Sequence, residues 1–154
     1  MSEARTLDFR SVAEVQDELD RLHKGGYDKA EGWDLAQACD HLRFFIEGSL
    51  DGPRYHVPWL FKALFGRMVL RRILSQRRMK RGVPTPQKPL PAPGGDEAAA
   101  VEQLKQVLRR FEAHVGDLHP SPFFGRMTPE QWRDLHLIHC AHHLGFLVPR
   151  SGSR

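Results

Sequence analysis

Apolar residues recur every three or four positions along most of the chain, a period that predicts helices rather than strands. The first stripe is Val12, Val15, Leu19 and Leu22, with Ser11 and Glu14 at capping-box spacing before it and Gly25-Gly26 to stop it. A second helix opens at Asp34, has Gln37 three residues on, and carries Leu35, Ala38, Cys39, Leu42, Phe45 and Ile46 on one face until Gly48 and Asp51-Gly52-Pro53. From about Pro58 to Arg81 the apolar residues are dense, with Gly66 interrupting them, and the segment reads as a third helix. Residues 82–95 hold five prolines, too many for helix or central strand, and form a crossover loop. Val101, Leu104, Val107, Leu108 and Phe111 mark a fourth helix that ends near Gly116. The last begins at Thr128, with Pro129 at the first helical position and Gln131 completing a capping box, and runs to about Leu147. No alternating pattern persists, so the expected fold is all-α: a four-helix bundle with a long Pro-rich crossover, forming a single domain over 1–154.

Composition bears on this reading in four ways. The 40% hydrophobic and 27% charged residues suit a globular chain, and no apolar run reaches the roughly 20 residues of a membrane span. The stretch from Met1 to Arg10 is polar and charged rather than signal-like, which makes a cytoplasmic location the expectation. Cys39 and Cys140 fall within apolar helical patterns and read as buried thiols, not as a disulfide framework or a CxxC site. The net charge of +4 is unevenly spread: Gly52 to Gly95 contains no acidic residue but ten basic ones, Arg54, Lys62, Arg67, Arg71, Arg72, Arg77, Arg78, Lys80, Arg81 and Lys88. That segment could meet nucleic acid, an anionic membrane surface or an anionic small ligand, although no recognition-helix or base-stacking motif accompanies it, and a solvated outer face is the plainer reading.

Candidate chemistry lies in the histidines. His136, His139, His142 and His143 crowd the last helix, and at about 100° per residue His136, His139 and His143 fall within roughly 40° of Trp132, on the apolar face. Inward imidazoles need partners, and shared coordination of one metal ion supplies them. His139 and His143 have the i, i+4 spacing at which two helical side chains reach one ion. A third ligand would come from elsewhere. His41, at the edge of the second helix's apolar face beside Phe45, is the first candidate and His136 the rival, while His142 sits at the margin of the face. His23, His56, His114 and His119 lie near helix ends or in loops and read as solvated or capping groups.

Three segments, Trp33 to His41 (WDLAQACDH), His139 to His143 (HCAHH) and His119 to Trp132 (HPSPFFGRMTPEQW), resemble the DinB and YfiT superfamily of metal-binding four-helix proteins, the third segment resembling a branch known only as a domain of unknown function. The resemblance implies His41, His139 and His143 as the ligand set, with a divalent ion, zinc first and nickel, iron or manganese as alternatives. It also implies a low-molecular-weight thiol as co-substrate, activated on the metal in a transferase-like reaction. Where many relatives follow the final histidine with Arg-Gly-Gln, this chain has Leu144-Gly145-Phe146. Three protein ligands leave coordination positions open, as catalytic sites do, so water activation and hydrolysis are also within reach. Asp40, Glu47 and Asp134 are candidates to orient the ligands. The competing readings are a metal that only stabilises the bundle and a binding module acting through the basic 54–88 segment. A homodimer through exposed helix faces is compatible with all of them.

Overall fold

The computed structural model describes residues 2–81 and 91–152. The greater part of the crossover, residues 82–90, lies outside the described residues. What is described is mostly helical: α1 (Val12–Gly25), α2 (Leu35–Asp51), a short α3 (Trp59–Phe61), α4 (Arg67–Gln76), α5 (Glu97–Ala113) and α6 (Pro129–Leu144). The three capping boxes read from the sequence are present, at Ser11 with Glu14, Asp34 with Gln37, and Thr128 with Gln131. In each, the cap oxygen accepts from an otherwise unpaired N–H of the first turn, which fixes where the helix starts.

The core lies where α2 packs against α5 and α6, with α1 crossing α5 and α6. Leu35, Cys39, Leu42 and Ile46 of α2 meet Leu104 and Leu108 of α5 and Leu137, Cys140 and Leu144 of α6 in one apolar cluster. Buried residues occupy every side of α6, including Trp132, Leu135, His136, Leu137, Ile138, Cys140, Ala141 and Leu144. A helix apolar all round is a central one, so the last helix is enclosed rather than merely laid on the core by one face.

The structure departs from the sequence expectation in three places. First, two strands are present: β1 (Tyr27–Lys29) pairs antiparallel with β2 (Leu147–Pro149), Asp28 opposite Val148. The Tyr27 hydroxyl donates to Glu97 and accepts from the Leu35 N–H, tying β1 to the starts of α2 and α5. Consequently α6 stops at Leu144, and Gly145 lets the N-terminal segment approach, since a Cβ there would lie 2.5 Å from the Arg5 carbonyl oxygen.

Second, the third helical segment is not uniform. Between α3 and α4 the chain makes a π-helical turn, Lys62–Gly66, and ends it where a Cβ on Gly66 would stand 2.3 Å from the Phe123 carbonyl oxygen. Third, α4 ends at Gln76 instead of continuing through the basic residues, with Arg77 in the left-handed region at φ 50°. A left-handed non-glycine residue costs roughly 1–2 kcal/mol, and the Arg77 side chain offsets it by donating to the Asp8 carboxylate and the Phe9 carbonyl, both at 2.7 Å. The described end of the crossover is held as well: Pro91 accepts from Gln37, and Gly94 donates to Asp34. Among the described residues no helix is long and apolar enough to cross a membrane.

Candidate metal centre

Asp34 starts α2 so that His41 comes two turns later on the side facing α6, and α6 presents His139 and His143 one turn apart opposite it. Their side chains converge. The Nε2 of His139 lies 3.1 Å from Nε2 of His41 and 3.1 Å from Nε2 of His143. The three donor atoms all fall within 4.8 Å of one another, and this is the group of three that could hold a metal ion among the described residues.

Hydrogen bonding alone does not satisfy this arrangement. Each Nε2 carries either one proton or one in-plane lone pair, so His139 can complete a good bond with one neighbour and not with both. A cation accepting lone pairs from all three removes the conflict. Two nitrogens each about 2.1 Å from one ion, at tetrahedral to octahedral angles, stand roughly 3.0–3.4 Å apart; the two separations at His139, 3.1 Å each, fall inside that window, while the third, between His41 and His143, is bounded by 4.8 Å.

The surroundings keep His139 and His143 neutral. Burial, together with the neighbouring His143 and His41, pushes the proton affinity of His139 well below that of free histidine. Burial, with His41 and His142 beside it, brings His143 to about 2. Neutral imidazoles are what a metal requires, so no proton has to leave these two rings before a metal binds at pH 7. Aromatic rings fix their orientation. The Trp33 indole stacks on His143 at 5.0 Å and 11°, and tilts against His41 at 4.8 Å. Phe45 meets His41 and His139 edge-on at 4.9 and 5.2 Å. Tyr55 packs against Phe45, and Phe123 against Tyr55, so half-buried aromatic residues line one side of the cluster.

His136 is placed elsewhere. Its Nε2 is 2.9 Å from the Ser49 hydroxyl, which itself sits 2.7 Å from the Ile46 carbonyl. The hydroxyl has one proton, and Ile46 takes it, so the His136 Nε2 must carry hydrogen and donate to Ser49. A protonated Nε2 is no ligand. The ring is stacked on Trp132 and edged by Phe111, and burial lowers its pKa to about 3. His142 packs edge-on against His143 and Phe146, outside the cluster. His23 pairs with Glu97, and the His114 ring lies 3.1 Å from the Asp117 carbonyl.

Of the carboxylates proposed to orient the ligands, Asp40 pairs with Arg43 at 2.8 Å, Glu47 faces Arg43 and Arg54, and Asp134 faces Arg77. Cys39 and Cys140 are buried free thiols, both pushed up by desolvation, Cys140 to about 12, which makes them inert. Sequence reasoning missed Ser49 and Tyr55. A serine inside a helix and a tyrosine in a loop carry no local signal, and only their contacts with His136 and Phe45 reveal them.

No curated protein and no solved structure matches this chain. The family model described as a protein of unknown function (DUF1569) matches residues 1–150, and the chain belongs to that family.

Proposed function

We propose that the chain is a divalent-metal-dependent enzyme of DinB-like type, a four-helix bundle in which His41, His139 and His143 hold one ion with coordination positions left for a substrate. The observation that carries the reading is the pair of 3.1 Å Nε2 separations centred on His139, which hydrogen bonding cannot satisfy together and one cation can. Zinc is the first choice, since three neutral nitrogen ligands with open positions are typical of its catalytic sites; nickel, iron and manganese accept the same donors.

A divalent cation held there supplies Lewis acidity, which brings the pKa of a thiol or a water molecule toward neutrality. The protein's own part is to keep the His139 and His143 imidazoles neutral, to hold the His143 ring flat against Trp33, and to line one side of the site with Phe45, Tyr55 and Phe123. That apolar lining suits a substrate with an apolar or aromatic portion and limits water beside the reacting group. The resemblance to the DinB and YfiT superfamily supplies the reaction class, transfer of a low-molecular-weight thiol to a carbon electrophile, with ester hydrolysis as the version in which water replaces the thiol.

Chelator-treated protein titrated with cobalt(II) tests the site and the chemistry together. Saturation at about one equivalent, followed by a change in the visible spectrum when a small thiol is added, is the expected result. Turnover of thiol and electrophile mixtures that persists in excess chelator would remove the proposal. Metal binding that raises the melting temperature while no thiol or ester turns over would replace it with a purely stabilising metal.

A further inference from the structure

The segment from Trp59 to Gln76 buries one side and exposes another that is also apolar. Leu70 and Ile73 of α4 are buried and α4 packs against α6, so the segment already has its core contact. Yet Trp59 is 74% exposed, Leu60 53%, Leu64 62% and Met68 63%, and Phe61 and Phe65 are exposed beside them. Leu60, Leu64 and Met68 recur at i, i+4 and i+8, and Arg71 and Arg72 follow them, exposed. Among the described residues Lys62, Arg71 and Arg72 have no acidic partner, and Arg67 donates to a backbone carbonyl, that of Arg126. Six large apolar side chains in one exposed patch exceed the scattered surface hydrophobes of an ordinary soluble domain.

Charge and side-chain type choose the occupant. No acidic residue lies between Gly52 and Gly95, so a second copy docking through this face would set a basic, acid-free surface against itself. Single-stranded nucleic acid would match the arginines and could stack on Trp59, Phe61 or Phe65, but it leaves Leu60, Leu64 and Met68 without a partner. An anionic bilayer surface matches all of them. Leucine, methionine and phenylalanine enter the boundary of the acyl region, tryptophan rests at headgroup level, and lysine and arginine meet lipid phosphates. The helices among the described residues are too short or too polar to span, so the segment would lie in the interface plane. We infer that the Trp59–Arg72 face of the protein is a peripheral docking surface for anionic lipid membranes.

Co-flotation with phosphatidylcholine vesicles, with and without phosphatidylglycerol, tests this on the full chain. The protein binds vesicles containing phosphatidylglycerol, releases them at high salt, and ignores phosphatidylcholine alone. Tryptophan emission shifts to the blue on binding, and Trp59→Phe removes the shift. The pair R71E and R72E weakens binding roughly thirtyfold or more, since each basic residue near an anionic surface counts for about a factor of five. L64S with M68S weakens it without changing the helical circular dichroism. The inference fails if no vesicle binds, if both pairs of variants bind as the wild type does, or if sedimentation shows a stable dimer in which Trp59 is shielded. It also fails if a single-stranded oligonucleotide quenches Trp59 while vesicles do not.

Discussion

His136 and His139 stand less than one turn apart on the same helix, and both are desolvated, yet their nitrogens meet opposite circumstances. The His136 Nε2 has one well-defined partner, the Ser49 hydroxyl, whose own proton is already given to Ile46. The His139 Nε2 has two equivalent partners that it cannot satisfy together. Burial of a histidine is therefore uninformative by itself. What separates a core histidine from a ligand is the arithmetic of protons and lone pairs at each nitrogen.

The comparison can be broken most directly at its two members. Replacing His139 with alanine removes the nitrogen common to both close contacts and is expected to weaken zinc binding by two orders of magnitude or more, beyond the 10–100-fold typical of lost outer partners. His136→Phe, which keeps the stacking volume beside Trp132, is expected to leave zinc affinity within about threefold, well below that range. Calorimetric titration of both variants measures the contrast, and equal losses would erase it.

Ser49→Ala sharpens the same contrast from the other side. It leaves the His136 N–H buried without an acceptor, a loss of about 1–3 kcal/mol of stability in urea unfolding, with metal affinity unchanged. Trp33→Ala acts on the ligand side alone. Removing the ring stacked on His143 is expected to lower zinc affinity about tenfold, at the lower end of what outer partners contribute, while the core-based stability changes little.

The same contrast carries a pH dependence. The folded pKa of His136, about 3, lies below the model-peptide value near 6.5. The unfolded chain thus takes up a proton that the folded chain refuses. The contribution of neutral His136 is complete above about pH 6.5 and is lost as the pH falls toward 3, with a slope of at most about 1.4 kcal/mol per pH unit. Metal-free wild type should lose stability below pH 6.5 more steeply than metal-free His136→Phe, and parallel curves would show that His136 is not held neutral by the fold.

These contrasts also mark how far the sequence could be read. The helix starts were legible because a capping box is a local device: Ser11 with Glu14, Asp34 with Gln37 and Thr128 with Gln131 each need only four residues. The i, i+4 pair His139 and His143 was legible for the same reason. The sequence put His41 ahead of His136 as third member but kept both, because the partner of the His136 nitrogen, Ser49, is 87 residues away in the chain. The β1–β2 pair escaped notice since three residues cannot display a period of two, and its register is set by tertiary contacts. The apolar density between Trp59 and Met68 is plain in the sequence, and its large side chains are exposed; a sequence shows that a face is apolar but not what covers it.

The central claim is that three histidines share one cation, and the metal content of freshly purified protein tests it most directly. Wild type and His136→Phe are expected to retain about one equivalent of divalent metal per chain after dialysis, and His139→Ala to retain almost none. Wild-type protein that stays metal-free after incubation with zinc and dialysis, or His139→Ala protein that keeps a full equivalent, would contradict the account.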